Sequence, residues 1–277
     1  MVDVLEVIAI SFASGLLGAL TGLGGASITT PVLVMLGVPV KHAIASGILS
    51  VIATSSGTSS AYLRDRVTNV RVAMFLETFA IVGGTLGAVV TVAISPRLVA
   101  VAFSGVIASS ALAMKLMAGG LRTAPASQDR LSRWLGLEGE YLDPSEGRVV
   151  RYRITNALYG GIGMIGAGMV AGMLGIGAGA FKVAIHELVL RMPPKVSTTT
   201  SNLIMGMTAL AGAGVYLSSG LMVMELAVPL ALGTAIGSIA GSRLLLKLRD
   251  ERVKLIYFAV AAIASALMLY RALFLGE

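Results

Sequence analysis

The chain has 277 residues, of which 56% are hydrophobic and 13% charged; 21 Lys and Arg against 14 Asp and Glu give a formal net charge of +7, and there is no cysteine. Soluble domains carry about 25% charged residues, so half that charge on an apolar background argues against a soluble enzyme or a disordered chain and indicates a membrane-embedded protein. The missing cysteines exclude disulfide frameworks, thiol nucleophiles and thiolate metal sites, and two histidines, His42 and His186, are too few for a histidine-built metal centre.

The first apolar run covers residues 4–21, and its acidic leader (Asp3, Glu6) reads as a retained span and not a cleaved signal peptide. A glycine box, Gly22-Leu23-Gly24-Gly25, follows and leads into a short apolar piece at 27–38. That piece is well below the ~20 residues that cross a ~30 Å hydrocarbon core as a helix. Full-length runs come at 43–62, 72–94 and 97–117. The long polar stretch is 118–153, where Trp134 with Leu131, Leu135, Arg130 and Arg133 predicts a short amphipathic helix at the headgroup level; a docking site for a soluble partner is the alternative. Beyond it lie a run at 155–175, a second box at Gly175-Ile176-Gly177-Ala178, a second short piece at 180–192, and full-length runs at 197–217, 221–243 and 254–274.

The order of these features repeats. Pro39-Val40-Lys41 recurs as Pro193-Pro194-Lys195, Ser46 falls opposite Thr200, and Tyr62-Leu63 opposite Tyr216-Leu217, all at an offset of 154 residues; the glycine box recurs at 153. Gly83 and Gly87 recur as Gly233 and Gly237. A shared box, turn and aromatic pair in one order marks an internal duplication. Lys and Arg collect in short cytoplasmic loops. The turn after Tyr62 holds Arg64, Arg66 and Arg71, whereas the matching turn after Tyr216 is Ser218-Ser219-Gly220; one turn later Ser95-Pro96-Arg97 answers to Arg243, Lys247, Arg249, Arg252 and Lys254. Equivalent loops therefore fall on opposite sides, and the repeats are expected to be inverted. If both short pieces cross, there are ten crossings with both termini outside, and 17 of the 21 basic residues fall in cytoplasmic loops. The positive charge then records orientation and not a nucleic-acid partner.

Paired, glycine-broken short helices in inverted halves point to a midplane binding site in secondary transporters. Broken helices free backbone N–H groups inside the membrane, and helix N-termini offer them to an anion. Gly24, Gly25, Ala26 and Ser27 in the first box, and Gly177, Ala178 and Gly179 in the second, are the candidate substrate-lining residues; close helix packing is the alternative, and is the reading for Gly83, Gly87, Gly233 and Gly237. An ionisable residue inside a span is a functional candidate, so Lys182 is expected to attract an anionic oxygen, with snorkelling as the alternative. The neutral donors Ser46, Thr200 and Asn202 suit an oxyanion that must be released again, although membrane Ser and Thr also bond their own helix backbone. His186, on the same helical face as Lys182, is a candidate coupling proton site or a structural hydrogen-bonding group. Glu187 is a further coupling candidate; Glu77 and Glu225, at comparable places early in their spans, are read first as lying near the headgroups, with carrying a proton as the alternative.

At these residues the sequence resembles the sulfite exporter TauE/SafE family of bacterial membrane permeases. The resemblance rests on Gly22 to Pro31, Gly37-Val38-Pro39 and Ala43-Ile44-Ala45-Ser46, with a second copy at Gly175 to Gly179 and Ser197 to Ser201. It implies transport, usually export, of a small sulfur-containing anion such as sulfite or an organosulfonate. The chain departs from the family pattern at Ala26 and Ala178, where glycines are common, at Ala184, where the second box usually has proline, and at Lys182, where the pattern is apolar.

The expected fold is an all-α polytopic membrane protein. Residues 1–117 form a first five-helix repeat, 118–153 a cytoplasmic linker, and 154–277 a second, inverted repeat, with the short helices near the bilayer midplane. The expected activity is secondary transport by alternating access in the bacterial inner membrane, with no enzyme activity, cofactor or metal, and with a homodimer compatible. An anion channel, or a transporter of an unrelated small anion, is the alternative.

Overall fold

A computed structural model describes residues 4–21, 23–64, 67–117, 128–143, 148–245 and 250–274. Helix α1 (Val4–Thr21) runs to the first box, and α2 (Ala26–Met35) opens directly after it. The long helices α3 (Val40–Arg64), α4 (Val70–Ala93) and α5 (Pro96–Met117) follow. In the second half α7 (Ala157–Leu174) runs to the second box, and α8 (Gly179–Ala184) continues into a π-helical turn at Ile185–Val189; α9 (Pro194–Ser218), α10 (Met224–Leu245) and α11 (Asp250–Phe274) complete the order. Each helix matches its expected apolar run to within a few residues.

Between the halves the structure departs from a plain linker. A single turn, α6 (Arg130–Trp134), is followed by an antiparallel hairpin of β1 (Glu138–Asp143) and β2 (Arg148–Arg153). Asp129 caps α6 by accepting from the Ser132 N–H at 3.2 Å. Leu131 and Leu135 pack onto a cluster with Leu137 and Ile154, while Trp134 is 80% exposed. The strands place Glu138 opposite Arg153 and Glu140 opposite Arg151, and these exposed pairs set register more than stability. Asn69 at the start of α4 holds the hairpin, donating from Nδ2 to the Tyr152 hydroxyl at 2.9 Å and to the Glu138 carbonyl at 3.2 Å.

The bundle is organised by exchange between halves. Helix α1 packs along α10 and α4 along α7; α3 meets α10 and α9 meets α4; α3 faces α9, and α5 faces α11; α2 packs on α3 and α11, and α8 on α9 and α5. Replacing α1–α5 by α7–α11 returns the same set of pairings. Glycines set the closest approaches: a Cβ on Gly87 or Gly172 would overlap the backbone of Met169 or Gly84, and a Cβ on Gly237 or Gly241 that of Phe12 or Leu16.

Among the described residues, four helices are long and apolar enough to cross a membrane by length and composition: Val4–Thr21, Val70–Ala93, Ala157–Leu174 and Met224–Leu244. They are the members of the two glycine-packed pairs. Their outer faces carry exposed apolar residues, among them Ile81, Leu86 and Val89 on α4 and Leu232, Ile236 and Ile239 on α10. Helices α3 and α9 have 25 residues each and are rich in Ser and Thr. Flanked by these pairs, they keep most of their hydroxyls buried within protein, where polar groups at membrane depth are tolerated, while Ser56, Ser60, Thr198 and Ser218 are exposed.

Candidate functional site

The two glycine boxes meet at the centre of the bundle, between Val51 on α3 and Met205 on α9, residues that are themselves 154 apart. A Cβ built on Gly24 would lie 3.4 Å from the Ile176 carbonyl and 3.4 Å from Val51; one on Gly177 would lie 2.7 Å from Met205 Sδ and 3.1 Å from Val51. Both glycines are in the left-handed region, with φ of +81° and +74°, so conformation favours glycine at each, and at Gly177 the close Met205 sulfur adds a steric reason. Ala178 shares that conformation at φ +50° with a side chain that disfavours it.

On the first-half side the start of α2 is enclosed by Ser and Thr side chains. The Gly25 N–H donates to Thr54 Oγ1 at 3.1 Å, and Thr54 donates on to the Ser50 carbonyl at 2.7 Å. A Cβ on Gly25 would meet Thr234 Cγ2 at 2.8 Å, Thr54 Oγ1 at 3.0 Å and Ser50 Cβ at 3.3 Å, so side chains of α3 and α10 close around it. Ser50 and Thr234 are completely buried, yet Ser50 Oγ and Thr234 Oγ1 have no hydrogen-bond partner among the described residues. A buried hydroxyl left unpaired costs about 1–3 kcal/mol. Both residues stand on the helices that close around the start of the ten-residue helix α2, with Thr234 Cγ2 and Ser50 Cβ facing Gly25.

On the second-half side the equivalent place is charged. Lys182 on α8 is fully buried, and its Nζ donates to Thr208 Oγ1 at 2.9 Å. Thr208, the counterpart of Thr54 at offset 154, lies 3.3 and 3.4 Å from the two carboxylate oxygens of Glu77 on α4 and also donates to the Ile204 carbonyl at 2.8 Å. His186 is buried one turn beyond Lys182; its Nδ1 lies 3.2 Å from the Ser197 carbonyl of α9, and its Nε2 has no partner among the described residues. Glu187 is half-buried.

The other expected site residues are placed as follows. Ala26 is buried at the first position of α2, and the Ser27 hydroxyl donates to the Gly24 carbonyl at 2.8 Å. The Ser46 hydroxyl accepts from the Val223 N–H at 3.1 Å, and Thr200 from the Asn69 N–H at 3.2 Å. Asn202 donates to the Thr198 carbonyl at 3.1 Å, and its own carbonyl accepts from Ser55. The Gly179 carbonyl accepts from Ser201 at 3.4 Å. The hydroxyls of Ser27, Ser46 and Thr200 are thus engaged with backbone. Sequence reasoning missed Ser50, Thr54, Thr208 and Thr234. The signal that finds three of them is the four-residue spacing of Ser50 and Thr54 on one face of α3 and the recurrence of Thr54 as Thr208.

Residues 7–268 match the family described as Sulfite exporter TauE/SafE. Over 276 residues, 97% of the chain, it is 22% identical to "Probable membrane transporter protein YunE" of Bacillus subtilis (strain 168), covering 98% of that protein. Over 266 residues, 95% of the chain, it is 24% identical to "Probable membrane transporter protein YdhB" of the same organism, covering 99% of it. No solved structure matches.

Proposed function

The chain belongs to the sulfite exporter TauE/SafE family, and on that premise we propose that it is a secondary transporter, working as an exporter, of a small sulfur-containing anion such as sulfite or an organosulfonate. The observation that carries this reading is at the start of α2: the buried hydroxyls of Ser50 and Thr234, on the two helices that close around Gly25, have no hydrogen-bond partner among the described residues. Sulfite and sulfonate oxygens are acceptors, and a set of neutral donors holds them without the full charge that would slow release. Gly24, Ala26 and Ser27 shape this side of the site, and Gly177, Ala178 and Gly179 the other. Lys182 supplies the long-range attraction for the anion.

Alternating access is supported by the way the helices exchange between halves, because a site at the meeting of two matched boxes opens to either side as one half rocks against the other. The distribution of basic residues supports an inverted arrangement of ten crossings in the bacterial inner membrane, with both termini outside. The test is uptake of sulfite, methanesulfonate, thiosulfate and sulfate by proteoliposomes, repeated with Lys182→Ala. A saturable flux of a sulfur anion, with apparent affinity reduced in the variant, is expected. Flux of none of these anions removes the substrate assignment, and unchanged affinity in the variant removes Lys182 from the site.

A further inference from the structure

Glu77 and Lys182 are opposite charges buried on either side of one hydroxyl, that of Thr208. The other ionisable groups are accounted for on every element packed against α8. On its own continuation lie His186, which Lys182 acts on through space, and Glu187. Helix α7 has Tyr159; α5 has Arg97 and Lys115 at its two ends; α9 has Lys195 in its first turn and Tyr216 near its far end, with the tyrosine hydroxyl donating to the Gly172 carbonyl. Glu77 is the carboxylate that faces Lys182 across the Thr208 hydroxyl.

That balance sets a rule for an entering anion. A buried ammonium without a negative partner is strongly disfavoured, and so is a second negative charge against a single positive one. Glu77 supplies that partner across Thr208. When an anion enters at the start of α2 and adds its charge to the bundle interior, the interior stays neutral only if Glu77 becomes a neutral acid. Resting on the transport reading above, we propose that Glu77 is the proton-carrying group of the cycle, so that one proton crosses with each monovalent anion. The proton passes from bulk water to a carboxylate oxygen of Glu77 as the anion enters, and returns to water on the other side as it leaves; Lys182 remains an ammonium throughout. Thr208 serves both states, accepting from Lys182 in each. Among the described residues, α2, the counterpart of α8, has no ionisable residue, and α10 carries Glu225 and Arg243 only in its first and last turns. Direction then follows the sum of the two gradients: an acidic exterior favours uptake, and efflux runs when the internal anion outweighs the opposing pH gradient.

The test uses the full chain in liposomes that enclose a pH-sensitive dye, with methanesulfonate as the probe because it stays ionised across the working range. Labelled methanesulfonate exchange and internal acidification are read together for the wild type and for Glu77→Gln. The expected result is exchange in the wild type accompanied by one proton per anion on net uptake, and a variant in which anion movement no longer carries protons. Net uptake without proton movement in the wild type, or undiminished proton movement in the variant, overturns the proposal while leaving the transport reading in place. Absence of exchange in the wild type, for sulfite as well, defeats the transport reading and this inference with it. A measurement on wild-type protein covers a variant that fails to fold: infrared difference spectra on adding methanesulfonate are expected to show a protonated-carboxyl band, and its absence also overturns the proposal.

Discussion

The hydroxyl of Thr200 on α9 accepts a hydrogen bond from the backbone N–H of Asn69 at 3.2 Å and so fixes where α4 begins. Ser46 on α3 does the same for the N–H of Val223 at 3.1 Å, just before α10, and both members of the second pair are offset by 154 residues from those of the first. Each hydroxyl satisfies a donor at the start of a helix that has no intrahelical acceptor. Thr200→Val and Ser46→Ala are each expected to destabilise the protein by about 1 kcal/mol. Thermal midpoints in detergent check this; a loss in only one of the two would show that the halves do not use the bond equivalently.

The close pairing of α4 with α7 predicts different outcomes for two glycines on one helix. Gly172 leaves no room for a Cβ beside Gly84, whereas Gly166 has nothing within 4 Å. Gly172→Ala is expected to cost about 1–3 kcal/mol through forced separation of the helices. Gly166→Ala is expected to be neutral or to stabilise by up to about 1 kcal/mol, because alanine is the better helix former. Equal thermal midpoints for the two variants would contradict the packing.

At Ala178 the backbone is left-handed. That conformation costs a non-glycine residue about 1–2 kcal/mol, partly offset by the greater freedom glycine has in the unfolded chain. Ala178→Gly is therefore expected to raise stability by up to about 1 kcal/mol, read as a higher thermal midpoint. A lower midpoint would show that the Ala178 side chain holds the second box in place.

The unpaired hydroxyl of Thr234 separates binding from stability. In Thr234→Val a similar shape without the hydroxyl removes a buried group that has no partner, so the empty protein is expected to be as stable as the wild type or more so. The apparent affinity for the transported anion is expected to fall about three- to tenfold, as one hydrogen bond is worth. Loss of stability with affinity unchanged would place Thr234 in packing alone.

Much of the architecture was legible because the membrane imposes long apolar runs with glycine at their breaks, and α1, α4, α7 and α10 follow those runs closely. The hairpin at 138–153 escaped notice because its strands are short and polar; the readable sign was the alternation of Glu138 and Glu140 against Arg151 and Arg153 in register. The glycine boxes were found because glycine recurrence survives duplication. The Ser and Thr side chains that close around Gly25 come from α3 and α10, and no local pattern shows that α10 packs there. In the same way Glu77 and Lys182 stand 105 residues apart in sequence, and only the crossing of α4, α8 and α9 brings them to one threonine.

Orientation has its own check in a chain without cysteine. Single cysteines at Ser219, in the turn after α9, and at Arg249, which lies outside the described residues, are expected to react with a membrane-impermeant thiol reagent from opposite sides of the membrane. Labelling of both from one side would contradict the inverted arrangement.

The central claim, that the chain carries a small sulfur anion through a site it shares between its halves, is tested most directly by sulfite counterflow. Proteoliposomes loaded with unlabelled sulfite and diluted into a trace of labelled sulfite are expected to accumulate the label transiently above equilibrium and to saturate as external sulfite rises. A flux with no overshoot and no saturation, or no flux above protein-free liposomes, would contradict it.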